Sequence, residues 1–238
     1  MKNKFILFDM DGTIAEFGKP ITKKMHKFLG TLKIPFGIIS GSSEKQFRYK
    51  LGDNFDKYLL FSSNGTKVFK KGKLIYQISL RDKLGKKRFG DLMNFLNKLN
   101  CIQQDIIPAE LKVGIFIDNR GGLVNFSPMG RGCEDLTSRA RFVELDKKKH
   151  IRIELSEIIK KEFLELNAVP GGQIGVDITY KDWKKDFVKR HLINKNILFF
   201  GDELEYGGND HDILNITNHC YPVTGPDDTI RRVKRIIK

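Results

Sequence analysis

A chain of 238 residues that is 40% hydrophobic and 30% charged, with only seven prolines, can bury a sizeable core; wholesale disorder is excluded. Its 43 lysines and arginines outnumber 29 acids, a net charge of +14, yet they lie singly or in short runs such as Lys70-Lys71 and Lys147-Lys148-Lys149. That is the pattern of a solvated surface, so no nucleic-acid partner is expected despite the basic balance. No apolar run approaches the ~18–20 residues of a membrane span.

Three widely spaced cysteines (Cys101, Cys133, Cys220) suggest neither a disulfide framework nor a zinc site. The residues from Met1 to Asp9 lack a secretory pattern, and a cytoplasmic location is expected.

Phe5-Ile6-Leu7-Phe8 is a continuous apolar run, as a strand covered on both faces requires. Met25, Phe28, Leu29 and Leu32 then recur at helical spacing behind Thr22 as cap. Phe36 to Ile39 and Tyr58 to Phe61 predict two more buried strands, and Val68 to Ile75, broken by Lys70-Lys71-Gly72, predicts a hairpin. The middle changes character. A helical stripe (Phe89, Leu92, Met93, Leu96) precedes an antiparallel pair, Val113–Ile117 and Leu123–Ser127, turning at Asn119–Gly122. Ile151, Leu155, Ile158 and Ile159 mark a long helix, and Gln173 to Thr179 alternates as a strand. The strand–helix alternation then resumes with a helix near Lys185–Leu192, a strand at Ile197–Phe200 and a closing helix from Asp227. The expected architecture is α/β: a parallel-sheet core of residues 1–78 and 183–238, with an α+β domain inserted at 79–182.

Two acidic sites end buried strands. Asp9 follows Phe5–Phe8, with Asp11 two residues on; Gly201-Asp202 follows Ile197–Phe200, with Asp210 shortly after. Ligands of open α/β sheets bind beyond the carboxyl ends of the strands, and acids delivered there by separate strands can share a Mg²⁺. Ser62-Ser63-Asn64-Gly65-Thr66 also follows a strand, and reads equally well as site lining or as a turn.

Asp9-Met10-Asp11-Gly12-Thr13 resembles the first motif of the haloacid dehalogenase (HAD) superfamily of phosphotransferases. Ser40 is similar to the second, the hydroxyl that holds the phosphoryl group, Lys185 to the third, and Gly201-Asp202 with Gly208-Asn209-Asp210 to the fourth. A closer resemblance is to the eukaryotic-type phosphomannomutases, which carry a type C2b cap. It is borne by Phe199-Phe200-Gly201-Asp202, Gly207-Gly208-Asn209-Asp210-His211, Asn125-Phe126-Ser127-Pro128-Met129-Gly130-Arg131, Glu144-Leu145-Asp146-Lys147-Lys148, Gly171-Gly172 through Trp183, and Pro226-Asp227-Asp228-Thr229. These blocks run in family order along nearly the whole chain.

The resemblance implies a Rossmann-like HAD core with an inserted cap. It also implies interconversion of mannose 6-phosphate and mannose 1-phosphate, feeding GDP-mannose synthesis, by way of an aspartyl phosphate and a hexose bisphosphate activator. Asp9 would be the nucleophile and Asp11 the general acid/base, with Ser40 and Lys185 completing the catalytic set. Mg²⁺ would be held by Asp9, the Asp11 carbonyl and Asp202, with Asp210 in the same acidic group. Arg120, Arg131 and Arg139 would bind phosphate, Asp177 a sugar hydroxyl, and a homodimer would form through the cap.

Three positions depart from the family pattern: Gly18 stands where the family has arginine, Gly175 where it has serine, and Ser40 where it usually has glycine. Lys19 could meet a phosphate as a point charge, and Gly175 through its amide. These departures keep open a Mg²⁺-dependent sugar-phosphate phosphatase on the same scaffold. A non-catalytic, basic nucleic-acid-binding protein is the other alternative, and the retained Asp9, Asp11, Lys185 and Asp202 oppose it.

Overall fold

The computed structural model describes residues 3–102, 106–132 and 136–237. Cys133 lies outside them. The chain divides into two compact units, Met1–Gln77 with Trp183–Lys238, and Ile78–Asp182.

The first unit is built on a seven-stranded sheet. Its strands are β1 (Lys4–Asp9), β2 (Phe36–Ile39), β3 (Leu59–Ser62), β4 (Lys67–Lys70), β5 (Lys73–Gln77), β10 (Asn196–Gly201) and β11 (Cys220–Pro222), in the order β11-β10-β1-β2-β3-β4-β5. From β11 to β3 the pairing is parallel, and the β4–β5 hairpin closes one edge antiparallel. The period-2 pleat sorts β1 between two cores. Ile6 and Phe8 join Leu198 and Phe200 on one face, while Phe5 and Leu7 join Ile197 and Phe199 on the other.

Helix α1 (Lys23–Gly30) starts at Thr22, whose hydroxyl accepts from Met25 N at 3.2 Å, and buries Met25, Phe28 and Leu29. Helix α2 (Glu44–Leu51) begins with a reciprocal capping box between Ser43 and Gln46. The helix expected near Lys185–Leu192 is a 3₁₀ helix over Lys185–His191. Tighter winding brings Lys185 and Val188, three residues apart, into line on its buried side.

The second unit holds helices α3 (Leu80–Leu84), α4 (Lys86–Ile102), α5 (Leu136–Lys149) and α6 (Ile151–Glu162). Its strands are β6 (Ile115–Asn119), β7 (Leu123–Arg131), β8 (Leu166–Gly171) and β9 (Gly175–Tyr180), in a four-stranded antiparallel sheet ordered β6-β7-β9-β8. The chain ends in α7 (Pro226–Ile236), back in the first unit, where Thr229 Oγ1 donates to Thr13 O at 2.7 Å and so pins the loop after β1. No described helix is long and apolar enough to cross a membrane.

Candidate active site

Parallel pairing of β1 with β10 in the register Phe8↔Phe200 carries Asp9 and Asp202 to the same edge of the sheet. Oxygens of Asp9, Asp202 and Asp210 all lie within 4.8 Å of one another. Two glycines make room for this. A Cβ at Gly12 would stand 2.2 Å from Asp202 Oδ2, and one at Gly201 2.2 Å from Asp210 Oδ2.

Lys185, 3% exposed, enters the cluster. Its Nζ donates to Asp9 Oδ1 at 2.5 Å, to Asp210 Oδ1, and to Asn209 Oδ1 at 3.2 Å. Burial pulls the Lys185 pKa down, but the carboxylates of Asp210 and Asp9 outweigh it and hold the group above the ordinary lysine value. One ammonium does not balance three carboxylates. Burial, opposed by Lys185 and reinforced by Asp210 and Asp202, holds Asp9 well above the usual carboxylate range. Asp202 is pushed up to about 7 by burial and then by Asp210 and Glu203. An all-oxygen set with surplus negative charge suits a hard divalent cation.

Asp11 lies beside this cluster with both carboxylate oxygens engaged. Gly18 N donates to Oδ1 at 3.1 Å, and Lys50 Nζ donates to Oδ2. Ser40 follows Ile39, the register partner of Asp9, and is buried. Its hydroxyl donates to Ser42 Oγ at 3.0 Å and accepts from Ser42 N at 3.1 Å. The Ser62–Thr66 turn packs against that loop: Ser63 N donates to Ser42 O and Asn64 N to Ser40 O. Ser63 and Asn64 both take left-handed backbone (φ 49° and 59°) to do so.

Lys19, the residue that could meet a phosphate as a point charge, lies at the surface of the first unit. Its Nζ pairs with Glu16 Oε2 at 2.5 Å in an exposed contact, so neither the acidic cluster nor Asp11 takes its charge. The left-handed turn at Gly18 (φ 71°) presents the Gly18 amide to Asp11 instead.

In the second unit, Asn125 links two expected residues. Its Nδ2 donates to Asp177 Oδ1 at 2.5 Å, while its Oδ1 accepts from Arg131 Nε at 2.5 Å. Gly175 leaves space for this network, since a Cβ there would come 2.6 Å from Asn125 Nδ2 and 3.1 Å from an Arg131 nitrogen. Arg120 and Arg139 are close enough to act on Arg131. Burial first, then the positive charge of Arg120, push Arg131 down to about 10; Asp177 and Asp118 oppose this and Arg139 adds to it. Arg120 Nε pairs with Asp118 Oδ2 at 2.9 Å. Arg139 Nε is buried without a hydrogen-bond partner among the described residues. Three neighbouring guanidiniums, one shifted by its neighbours and one with a buried Nε lacking a partner among the described residues, are a group that could hold an anion.

The sequence model for eukaryotic phosphomannomutases matches residues 25–238. The chain belongs to the eukaryotic phosphomannomutase family. It is 36% identical to a phosphomannomutase of Glycine max over 97% of this chain and 94% of that one. It is 35% identical to one of Encephalitozoon cuniculi over 98% and 93%. Among solved structures, a haloacid dehalogenase-like hydrolase from Bacteroides thetaiotaomicron superposes with TM-score 0.58 at 12% identity, covering 99% of this chain and all of that one. That likeness establishes the HAD fold.

Neither Lys50 nor Asn125 is among the site residues that the sequence alone points to. Lys50 carried a signal, because it falls with Phe47 and Leu51 at i, i+3, i+4 on the inward face of α2. A lysine on an apolar helix face calls for a carboxylate opposite it.

Proposed function

We propose that the protein is a Mg²⁺-dependent phosphomannomutase, interconverting mannose 6-phosphate and mannose 1-phosphate with a hexose bisphosphate as activator. In this reading it works in the cytoplasm as a homodimer through its second unit and feeds GDP-mannose synthesis. The observation that carries the reading is the Lys185 ammonium held between Asp9 and Asp210, with Asp202 alongside, at the carboxyl edge of the parallel sheet.

Asp9 and Asp202, with the Asp11 main-chain carbonyl, would hold the Mg²⁺, and Asp210 would fix Lys185. When bound, the ion supplies positive charge that lets a carboxylate approach a phosphate. Asp9 attacks phosphorus, the bond from phosphorus to the sugar oxygen breaks, and that oxygen takes its proton from the Asp11 carboxyl. In the second half, a free hydroxyl of the bound hexose phosphate passes its proton to Asp11 as it attacks the aspartyl phosphate, and Asp9 returns as carboxylate. Lys185 offsets the negative charge at Asp9 throughout. Arg120, Arg131 and Arg139 hold the phosphate that is not reacting, and Asp177 contacts a sugar hydroxyl.

Two observations favour a second reading, a phosphatase that releases the phosphoryl group to water: Lys19 pairs with Glu16, and Gly175 has no side chain to offer. Trapping the phosphoenzyme tests the step common to both. Parent protein mixed with hexose 1,6-bisphosphate should carry acid-stable, base-labile phosphate, and Asp9→Asn should carry none. Label persisting on that variant would move the nucleophile elsewhere.

A further inference from the structure

Lys50 is buried where a lysine has no packing advantage. Its side chain is 7% exposed, and it shares the inward face of α2 with Phe47 and Leu51. Its Nζ is directed to Asp11 Oδ2, and its own carbonyl accepts from Ile21 N at 2.9 Å, tying the chain beyond the Asp11 loop to the same residue. Gly18 N holds the other oxygen, Oδ1. The Asp11 side chain is nevertheless 26% exposed. Asp11 is therefore gripped from the protein side and open to solvent elsewhere. A carboxylate has room for about four hydrogen bonds, so two fixed contacts leave lone pairs for a substrate. The ammonium of Lys50 belongs to Asp11, as that of Lys185 belongs to Asp9 and Asp210.

We propose that Lys50 is a positioning residue for phosphoryl transfer, fixing the Asp11 carboxyl group in the orientation from which its proton reaches the sugar oxygen. The inference rests on the reading of Asp11 as general acid and base given above. Free to rotate, Asp11 would spend much of its time turned from the leaving group, and the benefit of a held proton donor would fall.

The test uses two phosphate donors that differ in their need for a proton. A hexose 1,6-bisphosphate must release an alcohol, so the leaving oxygen gains a proton as the phosphorus–oxygen bond breaks. p-Nitrophenyl phosphate releases a phenolate that departs without one. Loading of Asp9 is followed in single turnovers, with Mg²⁺, on the full chain. Lys50→Met should slow loading from the bisphosphate by about 10-fold or more, part of the ~10²–10⁴ that a placed proton donor contributes. Its KM should stay near the parent value, and loading from p-nitrophenyl phosphate should fall by a much smaller factor. Lys50→Arg should restore the ratio of the two rates. Lys50→Gln, which keeps a donor without the charge, should fall between; should the methionine variant not fold, a lowered ratio for Lys50→Gln supports the proposal and a parental ratio overturns it. Equal losses on both donors, or none, would mean that Lys50 only supports the fold. Asp11→Asn, run in parallel, separates the two levels. A lowered ratio for Asp11→Asn but not for Lys50→Met overturns the positioning role alone, whereas a parental ratio for Asp11→Asn overturns the reading of Asp11 and this inference with it.

Discussion

Asn125 and Asp177 stand opposite each other in the β7–β9 ladder, and the Asn125 amide donates to the Asp177 carboxylate at 2.5 Å. Because the same Asn125 accepts from Arg131, the sheet register itself sets where the guanidinium points. Arg131→Ala should cut mutase turnover steeply, since truncating a buried charge-assisted contact costs about 2–5 kcal/mol. Hydrolysis of the bisphosphate should fall less, so the product ratio should move toward free phosphate. Assaying isomer and inorganic phosphate together checks this; a uniform loss of both products would deny Arg131 its hold on the distant phosphate.

Asp202 is pushed up to about 7 by burial and by Asp210, a sign that the acidic cluster lacks counter-charge. Mg²⁺ should therefore raise the melting temperature of the parent by mass action, because it binds only the folded cluster. The melting temperature of Asp202→Asn should respond far less to the ion, and the variant should need more Mg²⁺ for turnover. Melting curves in EDTA and across a Mg²⁺ series measure the first effect. Parallel Mg²⁺ curves for parent and variant would remove Asp202 from the ligand set.

His191 ties the Lys185–His191 segment to the Ser62–Thr66 turn, with Nε2 2.9 Å from Gly65 O and its ring against Tyr76, Phe61 and Phe187. Burial pushes its pKa down, with Arg190 adding to the effect and Gly65 O opposing it. The unfolded chain takes up the proton first, near pH ~6.5, so folded stability is full above that value. It is lost as pH falls through the lower folded pKa. Urea midpoints at pH 7.5 and 5.5 should differ less for His191→Gln than for the parent. The same difference in both proteins would show that His191 does not carry it.

Much of the first unit could be read directly, because a strand covered on both faces leaves a continuous apolar run such as Phe5–Phe8. The Thr22 cap and the Lys70-Lys71-Gly72 turn were legible for equally local reasons. Other elements were not. Helix α2 offers only Phe47 and Leu51 as apolar anchors, and α5 buries Phe142 and Asp146 among many charges. β8 contains Pro170, and β11 has three residues. Asp9 and Asp202 were visible because acids at strand ends have a known place in such a sheet, whereas Asp210, beyond the end of β10, entered through the family resemblance. The pairing of Lys50 with Asp11 spans 39 residues and exists only once α2 packs on the sheet. Asn125 looked like one more strand residue until the β7–β9 register placed it opposite Asp177.

The mutase reading is tested most directly by supplying mannose 1-phosphate with Mg²⁺ and a catalytic amount of hexose 1,6-bisphosphate. Mannose 6-phosphate and inorganic phosphate are followed in the same reaction. Mannose 6-phosphate should accumulate toward equilibrium with little inorganic phosphate released. Stoichiometric inorganic phosphate with no isomer formed would contradict the mutase and leave the phosphatase, with Gly18, Ser40 and Gly175 as the residues to exchange first.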